Sequence, residues 1–148
     1  MRIRKAKLTD IEELVKLLSY LFEQEVEFKA DTKKQAKGLS LILSNKKVGD
    51  IFVATKKNKI VGMVNLLYSV STSLGSKVGI IEDVVVSPKY RGQDIGSKLL
   101  LHVKTFAKRK KLKRLTLFTD FDNLKAHTFY EKQGFKRSSM VQFKKEEN

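Results

Sequence analysis

The chain has 148 residues, 41% of them hydrophobic, with a formal net charge of +15 and no cysteine. That length makes about one domain, which buries roughly two thirds of the surface its unfolded form exposes, and the missing thiol excludes both a disulfide framework and a cysteine nucleophile. No run is long and apolar enough for a transmembrane helix or signal peptide, so a soluble, cytoplasmic protein with no membrane partner is expected.

Residues 2–7 alternate and predict a first strand, ending where Thr9-Asp10-Ile11-Glu12 offers a capping box. Ile11, Leu14, Val15, Leu18, Leu21 and Phe22 then form one helical stripe. An acidic patch of Glu23, Glu25 and Glu27 precedes a second capping signal, Thr32-Lys33-Lys34-Gln35, and a helix carrying Ala36, Leu39, Ile42 and Leu43. Residues 50–55 and 60–68 predict a hairpin around Lys56-Lys57-Asn58-Lys59, and residues 69–77 a loop.

The stretch from Ile80 to Leu100 organises the rest. Residues 80–86 are an apolar, β-branched run that predicts a strand stopped by Ser87-Pro88. After Asp94, the apolar positions Ile95, Leu99, Leu100, Val103, Phe106 and Ala107 recur at helical spacing. A turn holding Gly92 and Gly96 therefore feeds a helix N-terminus, where free N–H groups and the positive dipole end suit a phosphate or pyrophosphate. Residues 115–119 predict a strand parallel to the central one through the helical crossover. Residues 123–132 predict a short helix stopped by Gly134, and residues 135–143 a last strand.

Net charge of this size concentrates anionic partners by a salt-dependent field. The densest cluster, Lys108-Arg109-Lys110-Lys111 with Lys113 and Arg114, falls at a predicted helix C-terminus, where the dipole accommodates cations. Without an aromatic-interleaved, zinc-finger or helix-turn-helix pattern, the sequence leaves nucleic acid open without favouring it.

Two motifs in this order resemble the GNAT superfamily of acyl-CoA-dependent N-acyltransferases over essentially the whole chain. Arg91-Gly92-Gln93-Asp94-Ile95-Gly96 is similar to the family's pyrophosphate loop, with Asp94 in place of a glycine, and Asn123-Leu124-Lys125-Ala126-His127-Thr128-Phe129-Tyr130-Glu131-Lys132-Gln133-Gly134-Phe135 is similar to its later motif. The resemblance implies one domain over residues 1–148. Its α/β fold would be a mixed, mostly antiparallel sheet of six to seven strands, with a parallel splayed pair at the cofactor site and about four helices.

It implies acetyl transfer from acetyl-CoA, with no metal, to a primary amine by direct attack in a ternary complex; the rival reading is a catalytically weak CoA-binding module recruited to RNA or a ribosome. The amides of Gly92, Gln93, Asp94, Ile95, Gly96 and Ser97 would hold the pyrophosphate with Arg91 alongside, and Asn123 would join the cofactor site. The backbones of Val84 and Val86 would pair with pantetheine, Val84 polarising the thioester carbonyl. Tyr130 would donate to sulfur and Glu82 would be the base, with Asp83 or a water chain as alternatives and Asp83 on the opposite strand face unless a bulge intervenes. His102 and His127 read as solvated or capping residues.

Asp94 tolerates a left-handed conformation, but its carboxylate is expected to cap the helix at Gly96 or Ser97 and to repel phosphate. The acceptor is expected between the early helix-loop-helix, residues 20–33, and the central strand; the acidic residues there suit a cationic amine, the net charge a phosphorylated one. Exposed strand edges leave a homodimer open.

Overall fold

The structure is a computed structural model, and it describes residues 1–24 and 31–147. The chain divides into two compact units, Met1–Phe118 and Thr119–Asn148.

The first unit is a five-stranded sheet in the order β1-β2-β3-β4-β5, formed by Arg2–Lys5, Gly49–Lys56, Lys59–Ser71, Ser76–Val86 and Leu115–Leu117. Its first three pairings are antiparallel, and β4–β5 is parallel, as a crossover through a helix requires. The β2–β3 hairpin turns through Lys57 and Asn58, both left-handed at φ 50° and 64°, the twist-matched geometry of a two-residue loop. The loop expected over residues 69–77 is mostly strand: Ser69, Val70 and Ser71 pair with Val78, Lys77 and Ser76. Its serines read as loop, but Ser69 is exposed to water and the buried Ser71 hydroxyl is satisfied within the turn, accepting from the Leu74 amide at 3.2 Å.

Helices α1 (Ile11–Gln24) and α2 (Thr32–Leu43) cover one sheet face, where Leu14, Leu17, Leu18 and Leu39 pack on Ile51, Val53, Met63 and Val85. Neither expected cap forms as read. Asp10, not Thr9, closes the start of the first helical segment: its carboxylate accepts from the Lys7 amide at 2.7 Å and from Arg4 Nη1 at 2.8 Å. For α2 the cap is Asp31, one residue earlier, accepting from the Lys34 amide at 3.1 Å. Asp10 is the N3 residue reaching back to the N-cap amide and Asp31 an N-cap reaching the N3 amide, and each takes the role from the threonine beside it. Glu25 and Glu27, expected near the acceptor, lie outside the described residues, as does the side chain of Glu23.

Helix α3 (Ile95–Arg109) lies on the other face. Phe52 meets the His102 and Phe106 rings edge-on at 5.2 and 5.0 Å. Gly62 allows close approach: a Cβ there would stand 3.1 Å from Leu99 Cδ1 and 3.2 Å from Ile95 Cγ2.

In the second unit, α4 (Leu124–Lys132) starts at Asn123, whose Oδ1 accepts from the Ala126 amide at 3.2 Å. It ends at left-handed Gly134, φ 96°. The strand expected over residues 135–143 does not form, so the described sheet has five strands rather than six to seven. Met140, Val141 and Phe143 are 87%, 80% and 94% exposed. Apolar content alone does not make a strand where no ladder and no buried face support it. Among the described residues no helix is long and apolar enough to cross a membrane.

Candidate functional site

The site in the first unit begins where two neighbouring strands part. The β4–β5 ladder pairs Gly79, Ile80 and Ile81 with Leu115, Thr116 and Leu117 and stops, while β4 continues through Val86. Which backbone groups this exposes follows from the ladder on the other side. The Ser87 amide donates to Val61 O at 2.8 Å, and Val86 and Val85 pair with Gly62 and Met63. In an antiparallel ladder the N–H groups alternate in direction. That of Val86 therefore points away from β3, toward the side where β5 has ended, while Val84 falls in the register shift opposite Met63 and Asn65.

A bulge re-aims the strand just before this edge. Asn65 pairs with Glu82 but Met63 pairs with Val85, so β4 carries an extra residue, and Asp83 sits there left-handed at φ 53°. The expected alternation of Glu82 and Asp83 across the two faces is thereby broken, because a bulge inserts a residue without a ladder partner. Asn65 Nδ2 donates to Asp83 Oδ2 at 2.5 Å, which draws that carboxylate toward the residue facing Glu82. Asn65 is 2% exposed and its Oδ1 has no hydrogen-bond partner. The sequence reading missed it; the available signal was one amide inside the apolar run of β3.

The turn after β4 supplies the anion cradle. Pro88–Tyr90 makes a 3-10 turn, then Gly92 and Asp94 adopt φ 78° and 61°, and α3 begins at Ile95. Lys98 N to Asp94 O, 3.0 Å, is the first hydrogen bond of the helix, so the amides of Ile95 and Gly96 have no intrahelical acceptor. Space over Gly92 is open: a Cβ there would meet nothing within 4 Å. Arg91, Gly92, Gln93 and Asp94 are exposed, and Ser97 is part-buried in the first turn.

Arg91 Nε donates to Val86 O at 3.3 Å, and Lys56 Nζ donates to Gln93 Oε1 at 2.5 Å. Asp94 is left-handed as expected, but the expected cap is absent: its side chain makes no capping hydrogen bond. An αL residue at the N-cap position does not place its carboxylate over the following amides as an extended one does. The loop and open edge thus offer converging N–H donors to an anion and an extended chain, a donor set that fits pyrophosphate and pantetheine.

In the second unit Tyr130 packs edge-on against Phe129 and Phe135, with centroids 5.1 and 6.1 Å apart, and burial pushes its phenol up to about 12. Asn123 Oδ1 is taken by its cap. His127 Nε2 lies 2.8 Å from Asp120 O, a backbone contact rather than a catalytic one. His102 packs on Phe52, and burial, with the Arg109 cation, holds its pKa below the usual histidine value. Among the described residues, no group of three or more His, Asp or Glu could hold a metal ion.

The family model for the Acetyltransferase (GNAT) family matches residues 11–135, spanning both units. The chain belongs to the GNAT acetyltransferase family. It is 29% identical over 142 residues to an uncharacterized N-acetyltransferase, YhfO, of Bacillus subtilis, covering 94% of this chain and 92% of that one. It is 33% identical over 86 residues to the aminoalkylphosphonate N-acetyltransferase of Salmonella typhimurium, but spans only 56% of that relative's length and 58% of its own. The same identity over 90 residues relates it to the glucosamine 6-phosphate N-acetyltransferase of Trypanosoma brucei brucei, covering 60% of this chain and 59% of that one. The crystal structure of a possible acetyltransferase from Clostridium difficile 630 superposes with a TM-score of 0.90, at 21% identity and over 99% and 97% of the two chains. That last likeness is one of fold.

Proposed function

We propose that this GNAT member is a single-domain enzyme that transfers acetyl from acetyl-CoA to a primary amine by direct attack in a ternary complex. The observation that carries this reading is the parting of β4 from β5 immediately before a left-handed loop and the α3 N-terminus. An extended thiol-bearing chain can lie on the first while its phosphates meet the second. Acetyl-CoA supplies an acyl group already activated as a thioester.

The residues divide the work. Loop amides from Gly92 to Ser97, with Arg91, hold the pyrophosphate, and Val86 and Val84 pair with pantetheine. The Val84 N–H donates to the thioester oxygen as charge develops there. Glu82, or Asp83 beside it, accepts the proton that the attacking amine must lose, since an amine near pKa 10 is protonated at neutral pH. Tyr130 delivers a proton to the sulfur as the carbon–sulfur bond breaks and the carbon–nitrogen bond forms. The phenol carries that proton at neutral pH, and burial favours its neutral form further.

The acceptor best fitting both the acidic strand residues and the +15 chain is a small amine bearing a phosphate or phosphonate. The names of the aminoalkylphosphonate and glucosamine 6-phosphate enzymes support this choice. Thiol release measured with a disulfide reagent tests it, and the cysteine-free chain adds no background. Release with 2-aminoethylphosphonate or glucosamine 6-phosphate, exceeding that with spermidine or a lysine peptide, is expected. CoA binding without release to any amine would instead favour a binding module.

A further inference from the structure

At the end of the sheet away from the loop, cations from separate strands and a helix meet. Lys5 Nζ, Lys110 Nζ and Arg109 Cζ lie 4.7, 5.8 and 6.0 Å from the centre of one ring, Phe106, and Lys110 Nζ also lies 4.9 Å from the Tyr68 ring. The Lys113 amide donates to Lys77 O at 3.0 Å, and the Gly79 amide to Arg114 O at 2.9 Å, which ties the segment after α3 to the start of β4. Lys5, Lys77, Lys108, Arg109, Lys110, Lys111, Lys113 and Arg114 are all exposed.

The helix dipole does not account for this density. A C-terminus is worth about half an elementary charge and acts within its last turn, whereas Lys5 and Lys77 come from other elements. Ring faces offset some of the repulsion. The carboxylate at hand, Asp50, is buried, hydrogen-bonded by the Tyr68 hydroxyl and 3.4 Å from Lys5 Nζ. The cluster is therefore strongly cationic after its internal pairings.

We propose that this surface binds the phosphate backbone of a nucleic acid, without reading sequence, as a function separate from acetyl transfer. An acidic protein would be expected to find an apolar centre here, yet the apolar residue within 108–114, Leu112, is part-buried, and the Phe106 and Tyr68 rings already face cations. Lysine ammonium groups along a ridge suit non-bridging phosphate oxygens, and stacking of bases is not offered. Since α3 has 15 residues, its basic end lies about 20 Å from the loop at its start.

The test is fluorescence anisotropy of the full chain with a labelled 20-base-pair DNA duplex across a salt series. Lys110→Glu/Lys111→Glu/Lys113→Glu is compared with Lys33→Glu/Lys34→Glu/Lys37→Glu on the exposed side of α2, which lowers the net charge equally. The cluster triple is expected to weaken binding at least about tenfold at 0.1 M salt and to flatten the log–log salt slope by roughly 2.7, three phosphate contacts' worth. The α2 triple is expected to change affinity less than about threefold. Acetyl-CoA affinity retained by each variant shows that it folds, and Lys110→Gln/Lys111→Gln serves if the reversal does not. Equal weakening by both triples, no binding at 0.1 M salt, or displacement of the duplex by polyglutamate at equal charge would overturn the proposal.

Discussion

Asp94 sits where the family loop has glycine, and replacing it separates the backbone requirement from the charge. The residue is left-handed at φ 61° and exposed, and its carboxylate makes no cap, so Asp94→Gly loses no helix-capping hydrogen bond. Relief of αL strain, about 1 kcal/mol, is roughly offset by the entropy glycine adds to the unfolded chain, and the melting temperature should move by only a few degrees. Affinity should change more. Were a doubly charged pyrophosphate held by the loop amides, an exposed carboxylate at a separation on the order of 6 Å would oppose binding by about 1 kcal/mol after screening. Removing it should tighten CoA binding about three- to tenfold by calorimetry, with the gain shrinking at 0.5 M salt. Asp94→Asn, which keeps αL tolerance and loses the charge, should recover most of that gain. Unchanged or weaker affinity in both variants would refute the electrostatic argument.

Four further outcomes are expected. Tyr130→Phe should leave CoA affinity within about twofold but lower kcat on the order of a hundredfold, the scale of a lost general acid; equal kcat in stopped-flow assays would remove Tyr130 from the chemistry. Because the folded phenol titrates near 12 rather than 10, the native state holds a proton the unfolded state releases, so Tyr130's contribution to stability should fall as pH rises from about 10 to 12. Asp10→Asn loses an ion pair and the charge on a buried cap and should cost about 1–3 kcal/mol in urea unfolding at pH 7. The difference should close in acid, since Arg4 and the Lys7 amide hold the Asp10 carboxyl below its usual range and that stabilisation is lost on protonation. Gly49→Ala would put a Cβ 2.4 Å from the backbone oxygen of Leu66 and should destabilise by about 2–4 kcal/mol, read from the urea midpoint at constant slope.

Much of the site was legible because its requirements are local. A proline after a β-branched run, two glycines and an apolar helical stripe specify strand, turn and helix from contiguous residues, and β4, the loop and α3 follow that reading. What failed was set by partners distant in sequence. The apolar segment 135–143 reads as a strand by itself, but it forms no ladder. Polar Ser69–Ser71 reads as loop, but pairs with residues 76–78 across a hairpin. Both helix starts moved, to Lys7 closed by Asp10 and to Asp31, because the choice between a threonine and the aspartate beside it depends on which oxygen reaches an amide.

By itself, the sequence determined the loop chemistry, the helix that follows it, the absence of a thiol and the family motifs, all carried by residue type at short spacing. Tertiary structure alone decided where β5 stops against β4, that a bulge turns Asp83 toward Asn65, and that Lys5 and Lys77 join the basic end of α3. Those outcomes depend on register between strands far apart in the chain, and a residue's own type does not encode its ladder partner.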